Sequence, residues 1–152
     1  MSSIDPTDRA GPLRKGHGIL HHIGFVVASI SAVAREFAMS VSASWEGEII
    51  HDPGQRVRVA FLRSNDPGNP VIELVEPAGE ASPVIKFLGK GGGLHHLCYE
   101  VADLEAGLRE ARSMGMLIIA GPVPAVAFGG RRISWVYSKN RLLMEFLERC
   151  QK

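Results

Sequence analysis

The chain has 152 residues, 45% apolar and 22% charged, which is the balance of a soluble globular domain with enough material for a continuous core. A net charge of +1 leaves no basic stripe of the kind nucleic-acid binding needs, and no run of 18 apolar residues offers a membrane span. Two cysteines, Cys98 and Cys150, are too few for a disulfide framework and point to a reducing, cytoplasmic setting.

Residues 1–17 are polar, contain Pro and Gly, and lack an apolar stretch, so they read as a flexible tail and not as a secretory signal. "ILHHIGFVVA", Ile19 to Ala28, is rich in β-branched and aromatic residues and predicts a strand. Ser29 or Ser31 can then cap a helix through "SAVAREFAMS", with Val33, Phe37 and Val41 on one face. Three strands are expected next, at Ser44–His51, Arg56–Arg63 and Pro70–Glu76, divided by the turn-forming stretches Asp52–Gly54 and Asn65–Pro70. "GEASPVIKFLGKGGG" predicts a short helix, Ser82–Leu88, and a glycine hinge. The order then starts again. "LHHLCYEVA" predicts a strand, Asp103 caps a helix that Gly115 closes, and strands follow near Met116–Ala120, Arg132–Ser138 and Leu142–Leu147. Lys139-Asn140 is short enough for a tight hairpin between the last two.

The segments "LHHIGFVVASI" from Leu20 and "LHHLCYEVADL" from Leu94 stand 74 positions apart and carry a His-His pair at the same place. Each half is therefore a βαβββ module, with module one at 18–80, a linker at 81–93 and module two at 94–149, inside a single domain spanning 18–152. The expected class is α+β: two four-stranded, mostly antiparallel sheets joined as a curved sheet around a shared cleft. Strand alternation puts His22, Gly24 and Val26 on one face and His21, Ile23, Phe25 and Val27 on the other. The same rule opposes His96, Cys98 and Glu100 to His95, Leu97, Tyr99 and Val101. The bulkier sets should pack on the helices, which leaves His22 and His96 facing the cleft and His21 and His95 off the site. Glu73 and Glu145, 72 positions apart, each interrupt an apolar strand. A lone charge there is costly unless it is paired or bound to a cation. Two imidazoles and two carboxylates at matched repeat positions suit a borderline divalent ion such as Co, Ni, Mn, Zn or Fe.

Over about Ile19 to Arg149 the chain resembles the vicinal oxygen chelate (glyoxalase/bleomycin resistance/dioxygenase) superfamily, and within it methylmalonyl-CoA epimerase-like proteins. The resemblance rests on "LHHIGFVV", on "VIELVEP" followed by "SPVIKFL", on "GGGLHHLCYEVADLEAGL" and on "LLMEFLE". It implies a metal held by His22, Glu73, His96 and Glu145, with Glu73 and Glu145 as the proton carriers. It further implies a metal-dependent epimerase or isomerase that works through a metal-stabilised enolate of a small-molecule substrate such as a CoA thioester, in a homodimer. A glyoxalase I-like lactoylglutathione lyase and a metal-free ligand-binding or resistance protein are the alternatives. Three stretches depart from the family. Val59 stands where some epimerases place a catalytic Glu, and "AVAFGG" (Ala125 to Gly130) and the shortened "VYSKN" differ from the usual pocket-forming segments. Glu46 and Glu48 are sequence-near alternatives for the base, with solvation the simpler reading. Lys86, Lys90, Arg131 and Arg132 are the candidate cations for a phosphorylated tail.

Overall fold

The computed structural model describes residues 18–150, so the expected tail at 1–17 lies outside the described residues. In chain order the elements are β1 (Ile19–Val26), α1 (Ile30–Ser40), β2 (Ile50–Asp52), β3 (Val57–Leu62), β4 (Val71–Pro77), α2 (Ile85–Gly89), β5 (Gly93–Val101), α3 (Leu104–Ser113), β6 (Leu117–Pro124), a 3-10 turn (Val126–Phe128), β7 (Arg132–Tyr137) and β8 (Leu143–Glu148). Both long helices begin where the sequence places a cap. The Ser29 hydroxyl accepts from the Ala32 amide, and the Asp103 carboxylate accepts from the Ala106 amide at 2.9 Å. A second carboxylate serves α1 from outside it: the Ile30 amide donates to Glu76 at 2.6 Å, and Arg58 pairs with the same side chain.

The eight strands form one curled mixed sheet in the order β2-β3-β4-β1-β5-β8-β7-β6. The two predicted four-stranded sheets are thus joined edge to edge, because β1 and β5 pair antiparallel across the repeat. Within each module the first strand lies parallel to the last, β1 against β4 and β5 against β8, and the other pairs are antiparallel. On the convex side α1 buries Ile30, Ala34 and Ala38 against Leu62, Ile72 and Leu74, and α3 buries Leu104, Leu108 and Ala111 against Val136, Met144 and Phe146. The concave side carries two smaller apolar clusters, one around Val57, Val59 and Val75 and one around Cys98, Ile133 and Leu147. Cys98 is fully buried, as a small filler would be, and Cys150 is exposed.

Three expected elements differ. The strand predicted at Ser44–His51 is reduced to a single bridge from Ser44 to Arg63 and to β2. Gly47 turns the chain at a positive φ, and the Trp45 indole donates back to the Glu48 carbonyl, so this stretch is a loop. The linker helix starts three residues later than Ser82, at Ile85. β6 runs on through Pro124, past the expected Ala120, because β7 continues to pair with it as far as Arg132.

Candidate active site

The concave face encloses a cleft of about 540 Å³. Glu73, His96 and Glu145 line it, and the fully buried His22 meets them from behind the cleft surface; the four come from the four central strands of the sheet. All four are almost completely buried, with the most exposed at 4%. The strand register explains the convergence. On β1 and β5, His22 lies opposite Cys98 and His96 opposite Gly24, so the two imidazoles flank the centre of the antiparallel pair. Glu73 lies beside Gly24 in the parallel β1–β4 ladder, and Glu145 lies beside Cys98 in the β5–β8 ladder.

Gly24 makes room for this arrangement. A Cβ there would lie 2.0 Å from His96 Cε1 and 2.5 Å from its Nε2. The imidazole therefore occupies the space that any other residue at position 24 would fill.

Three ligand-type atoms form a near-equilateral triangle. His22 Nε2 and His96 Nε2 are 3.1 Å apart, and Glu73 Oε2 is 3.2 Å from each. Glu145 Oε1 lies 3.9 Å from His22 Nε2, and it is a buried oxygen with no hydrogen-bond partner. Donors held about 2.0–2.2 Å from one ion sit about 3 Å apart when adjacent in its shell. The triangle matches that spacing, and a cation held among these four side chains would satisfy the orphaned Glu145 oxygen, which is costly in isolation. The donor set, two imidazoles and two carboxylates, fits the same borderline ions named from the sequence.

The electrostatics separate the two carboxylates. Burial disfavours the Glu73 carboxylate, but the two imidazoles beside it outweigh that and hold it well below the usual carboxylate range. Burial, then repulsion from Glu73, pushes Glu145 up. Burial works against a charged His22, yet the Glu73 carboxylate next to it, helped by Glu145, raises it above an ordinary histidine. His21 and His95 are each lowered to about 4, chiefly by burial and then by the neighbouring His22 or His96, and are neutral at pH 7.

One expectation about the faces is overturned. His95 lines the cleft, where its ring meets Phe87 at 4.8 Å and Trp135 at 6.1 Å between centroids. His21 also turns toward the site, with its ring edge-on to His22 and to Phe128. Strict alternation fails at both, since the β1–β5 ladder is irregular there.

The departures noted in the sequence lie partly in the cleft wall. Val59 is buried and lines it, so an apolar side chain stands at the position of the expected third-strand Glu. The "AVAFGG" stretch supplies Ala127 and Phe128, and the Phe128 ring stacks on His22 at 5.6 Å. Trp135 lines the cleft, whereas Tyr137, two residues on, is not among its lining residues. Glu46 and Glu48 are exposed and lie away from the cleft. Of the four candidate cations, Arg131 is bonded to Glu100 and Arg132 to Glu105 and Glu148, and none of the four lines the cleft. Arg56 does line it and donates to the Ala81 carbonyl.

Sequence reasoning missed Asp52, read only as part of a turn. It is buried at 2% exposure and accepts from the Gln55 amide, the Gln55 carboxamide and the Val126 amide, so it ties the 3-10 turn of module two to module one over the cleft. The Trp135 indole in turn faces the Gln55 carboxamide oxygen at 3.4 Å. The only trace of this in the sequence is an Asp-Pro-Gly turn, which by itself does not distinguish a buried tie from a surface loop.

A family model described as the Glyoxalase/Bleomycin resistance protein/Dioxygenase superfamily matches residues 21–135. The chain belongs to this superfamily. Among curated members of the superfamily, the ethylmalonyl-CoA/methylmalonyl-CoA epimerase of Cereibacter sphaeroides is 30% identical over 125 residues, which cover 81% of this chain and 90% of that protein. The solved methylmalonyl-CoA epimerase of Mycobacterium tuberculosis superposes with a TM-score of 0.76 at 29% identity, covering 94% of this chain and 95% of that one. A variant of the Streptomyces coelicolor methylmalonyl-CoA epimerase, solved in complex with 2-nitronate-propionyl-CoA, gives 0.74 at 26% identity over 89% of this chain and 99% of that one. The superfamily resemblance read from the motifs thus holds, and so does the α+β architecture of paired βαβββ modules.

Proposed function

We propose that this superfamily member is a divalent-metal-dependent epimerase or isomerase acting on a CoA thioester, with His22, Glu73, His96 and Glu145 as metal ligands. The observation that carries the proposal is the buried, partnerless Glu145 oxygen facing a 3.1–3.2 Å triangle of two imidazole nitrogens and a carboxylate. The epimerase relatives support the substrate class.

When bound, the ion supplies Lewis acidity to a pair of neighbouring substrate oxygens and so acidifies the C–H beside them. His22 and His96 contribute neutral nitrogen donors, and Glu73, fixed by both imidazoles, contributes charge. Glu145 serves both as a ligand and as the proton carrier, giving up its place among the ligands to take the proton. Its Oε1 is not tied to any side chain, it lines the cleft, and no competing carboxylate stands at Val59. A positioned base of this kind contributes about 10²–10⁴-fold. Val57, Val59, Val84 and Val123 give the cleft wall an apolar lining. The single domain at 18–152 holds the whole site, with one His and one Glu from each module.

Val59 also favours a second reading. Inversion at carbon removes a proton from one face and returns it on the other, a task that Glu145 and Glu73 would divide between them, whereas a shift to the adjacent carbon on one face needs only one carrier. A glyoxalase I-like isomerisation fits a cleft in which, among the described residues, Glu145 is the carboxylate with a buried oxygen that has no hydrogen-bond partner. Proton–deuterium exchange tests both readings. Protein loaded with cobalt is incubated in D₂O with methylmalonyl-CoA or, separately, with a glutathione hemithioacetal. Exchange with the first supports the epimerase reading, and deuterium in the product of the second supports the isomerase. No exchange with either, by a protein that retains no cobalt, refutes both and leaves a ligand-binding protein.

A further inference from the structure

The ligand set uses one histidine of each His-His pair and leaves His21 and His95 without a role. The ladder between β1 and β5 is irregular at two places. From Leu20 to His22, β1 advances two residues while β5 moves one, from Tyr99 to Cys98. From His96 to Leu94, β5 advances two residues while β1 moves one, from Gly24 to Phe25. The extra residue is His21 in the first case and His95 in the second. A bulge of this kind breaks the alternation that would send consecutive side chains to opposite faces, and it re-aims a side chain. In both copies the result is the same. His21 Nδ1 lies 2.9 Å from His22 Nδ1, His95 Nδ1 lies 2.9 Å from His96 Nδ1, and the rings meet edge-on at 80° and 89°. Aromatic neighbours hold the two outer rings, Phe128 against His21 and Phe87 against His95.

Metal ligation requires a neutral imidazole, and two neutral rings facing each other through Nδ1 share one proton; which ring carries it has a chemical consequence. If it sits on His22 and His96, their Nε2 atoms keep free lone pairs, and those are the atoms that face the centre of the site. We propose that His21 and His95 are positioning residues: each accepts the Nδ1–H of the next histidine, fixing its tautomer and ring orientation so that Nε2 is presented to the ion. The paired bulges are the backbone device that brings each supporting ring alongside its ligand. This inference rests on the metal-site reading above.

The test uses zinc-loaded protein labelled with ¹⁵N-histidine. Long-range proton–nitrogen correlation should find His22 and His96 protonated at Nδ1, and His21 and His95 protonated at Nε2 with a bare Nδ1. Zinc affinity, measured by competition with a chelating dye, should fall about 10–100-fold in His21→Phe and His95→Phe, the range for losing a ligand's hydrogen-bond partner. His21→Asn and His95→Asn, whose carboxamide oxygen can take the place of Nδ1, should recover most of it. An Nδ1–H on His21 or His95 in the zinc-loaded parent overturns the inference, as does equal zinc affinity in parent and Phe variants. If the Phe variants do not fold, the tautomers of the parent decide alone. A folded parent that takes up no zinc overturns the metal-site reading itself, and this inference with it.

Discussion

Replacing Gly24 by alanine is the smallest change that tests the geometry of the site. Gly24 is not among the residues with a positive φ, so the backbone accepts alanine there and any effect comes from the new methyl group. That carbon would lie 2.0 Å from His96 Cε1, 2.3 Å from Nδ1 and 2.5 Å from Nε2. Ordinary van der Waals contact begins near 3.4 Å, so the ring has to withdraw by about 1.4 Å. A metal–nitrogen bond of about 2.0–2.1 Å does not stretch that far, so on the proposed reading His96 would leave the ligand set. Cobalt affinity should fall by on the order of 100-fold or more, at or beyond the upper end for loss of a supporting residue. The overpacking itself costs about 1–3 kcal/mol, which leaves a folded protein to measure. The assay is a cobalt titration followed by visible absorption, with urea unfolding of the metal-free protein as the control for the fold. A folded Gly24→Ala variant that binds cobalt as tightly as the parent would refute the placement of His96 across position 24.

Three further outcomes are expected. Glu145→Gln should reduce proton exchange about 10²–10⁴-fold while Glu46→Gln leaves it unchanged, measured by deuterium incorporation into the substrate. Asp52→Ala leaves the Val126 and Gln55 amides without their acceptor and should cost about 1–3 kcal/mol, read from the urea midpoint, with a matching loss of protection from proteolysis near Val126. Glu100 gives a pH signature. Burial alone would raise its pKa, but hydrogen bonds from Arg131 and Arg149 outweigh that and lower it. A lowered carboxyl stabilises the fold above its unfolded value, near 4.3, and that contribution is lost as the pH falls through the folded value. Glu100→Gln should therefore cost up to about 1 kcal/mol at pH 7, since the partners are partly exposed, and flatten the decline of stability below pH 5 in acid-unfolding curves.

Most of the fold was legible because the period-2 pattern and the caps are local. Ser29 and Asp103 announce the helices, and Ile23, Phe25 and Val27 face α1 as their alternation implies. The candidate site was legible because the repeat doubles each signal. A single His22 or Glu73 would look like an ordinary buried residue, but offsets of 74 and 72 pair them with His96 and Glu145. What stayed hidden is non-local. The antiparallel β1–β5 seam joins two distant segments, and nothing in either one names the other as its partner. The bulges at His21 and His95 exist only relative to the facing strand, so alternation assigned both residues to the wrong face. Asp52 and Gly24 likewise take their roles from groups 74 and 72 residues away, the Val126 amide and the His96 ring.

The seam between the modules also breaks an equality. Two identical halves would set the same residue on each flank of the pseudo-two-fold axis, and their two carboxylates would be interchangeable. One continuous chain is free of that restriction. Gly24 on one flank corresponds to Cys98 on the other; the first leaves room for the opposite imidazole, while the second fills its own place. Glu73 is bound by both imidazoles, whereas its counterpart Glu145 keeps an oxygen unclaimed. In the proposed site a division of labour between anchor and proton carrier would follow from the repeat: near-symmetry gathers the four groups, and the departures from it leave them in different surroundings.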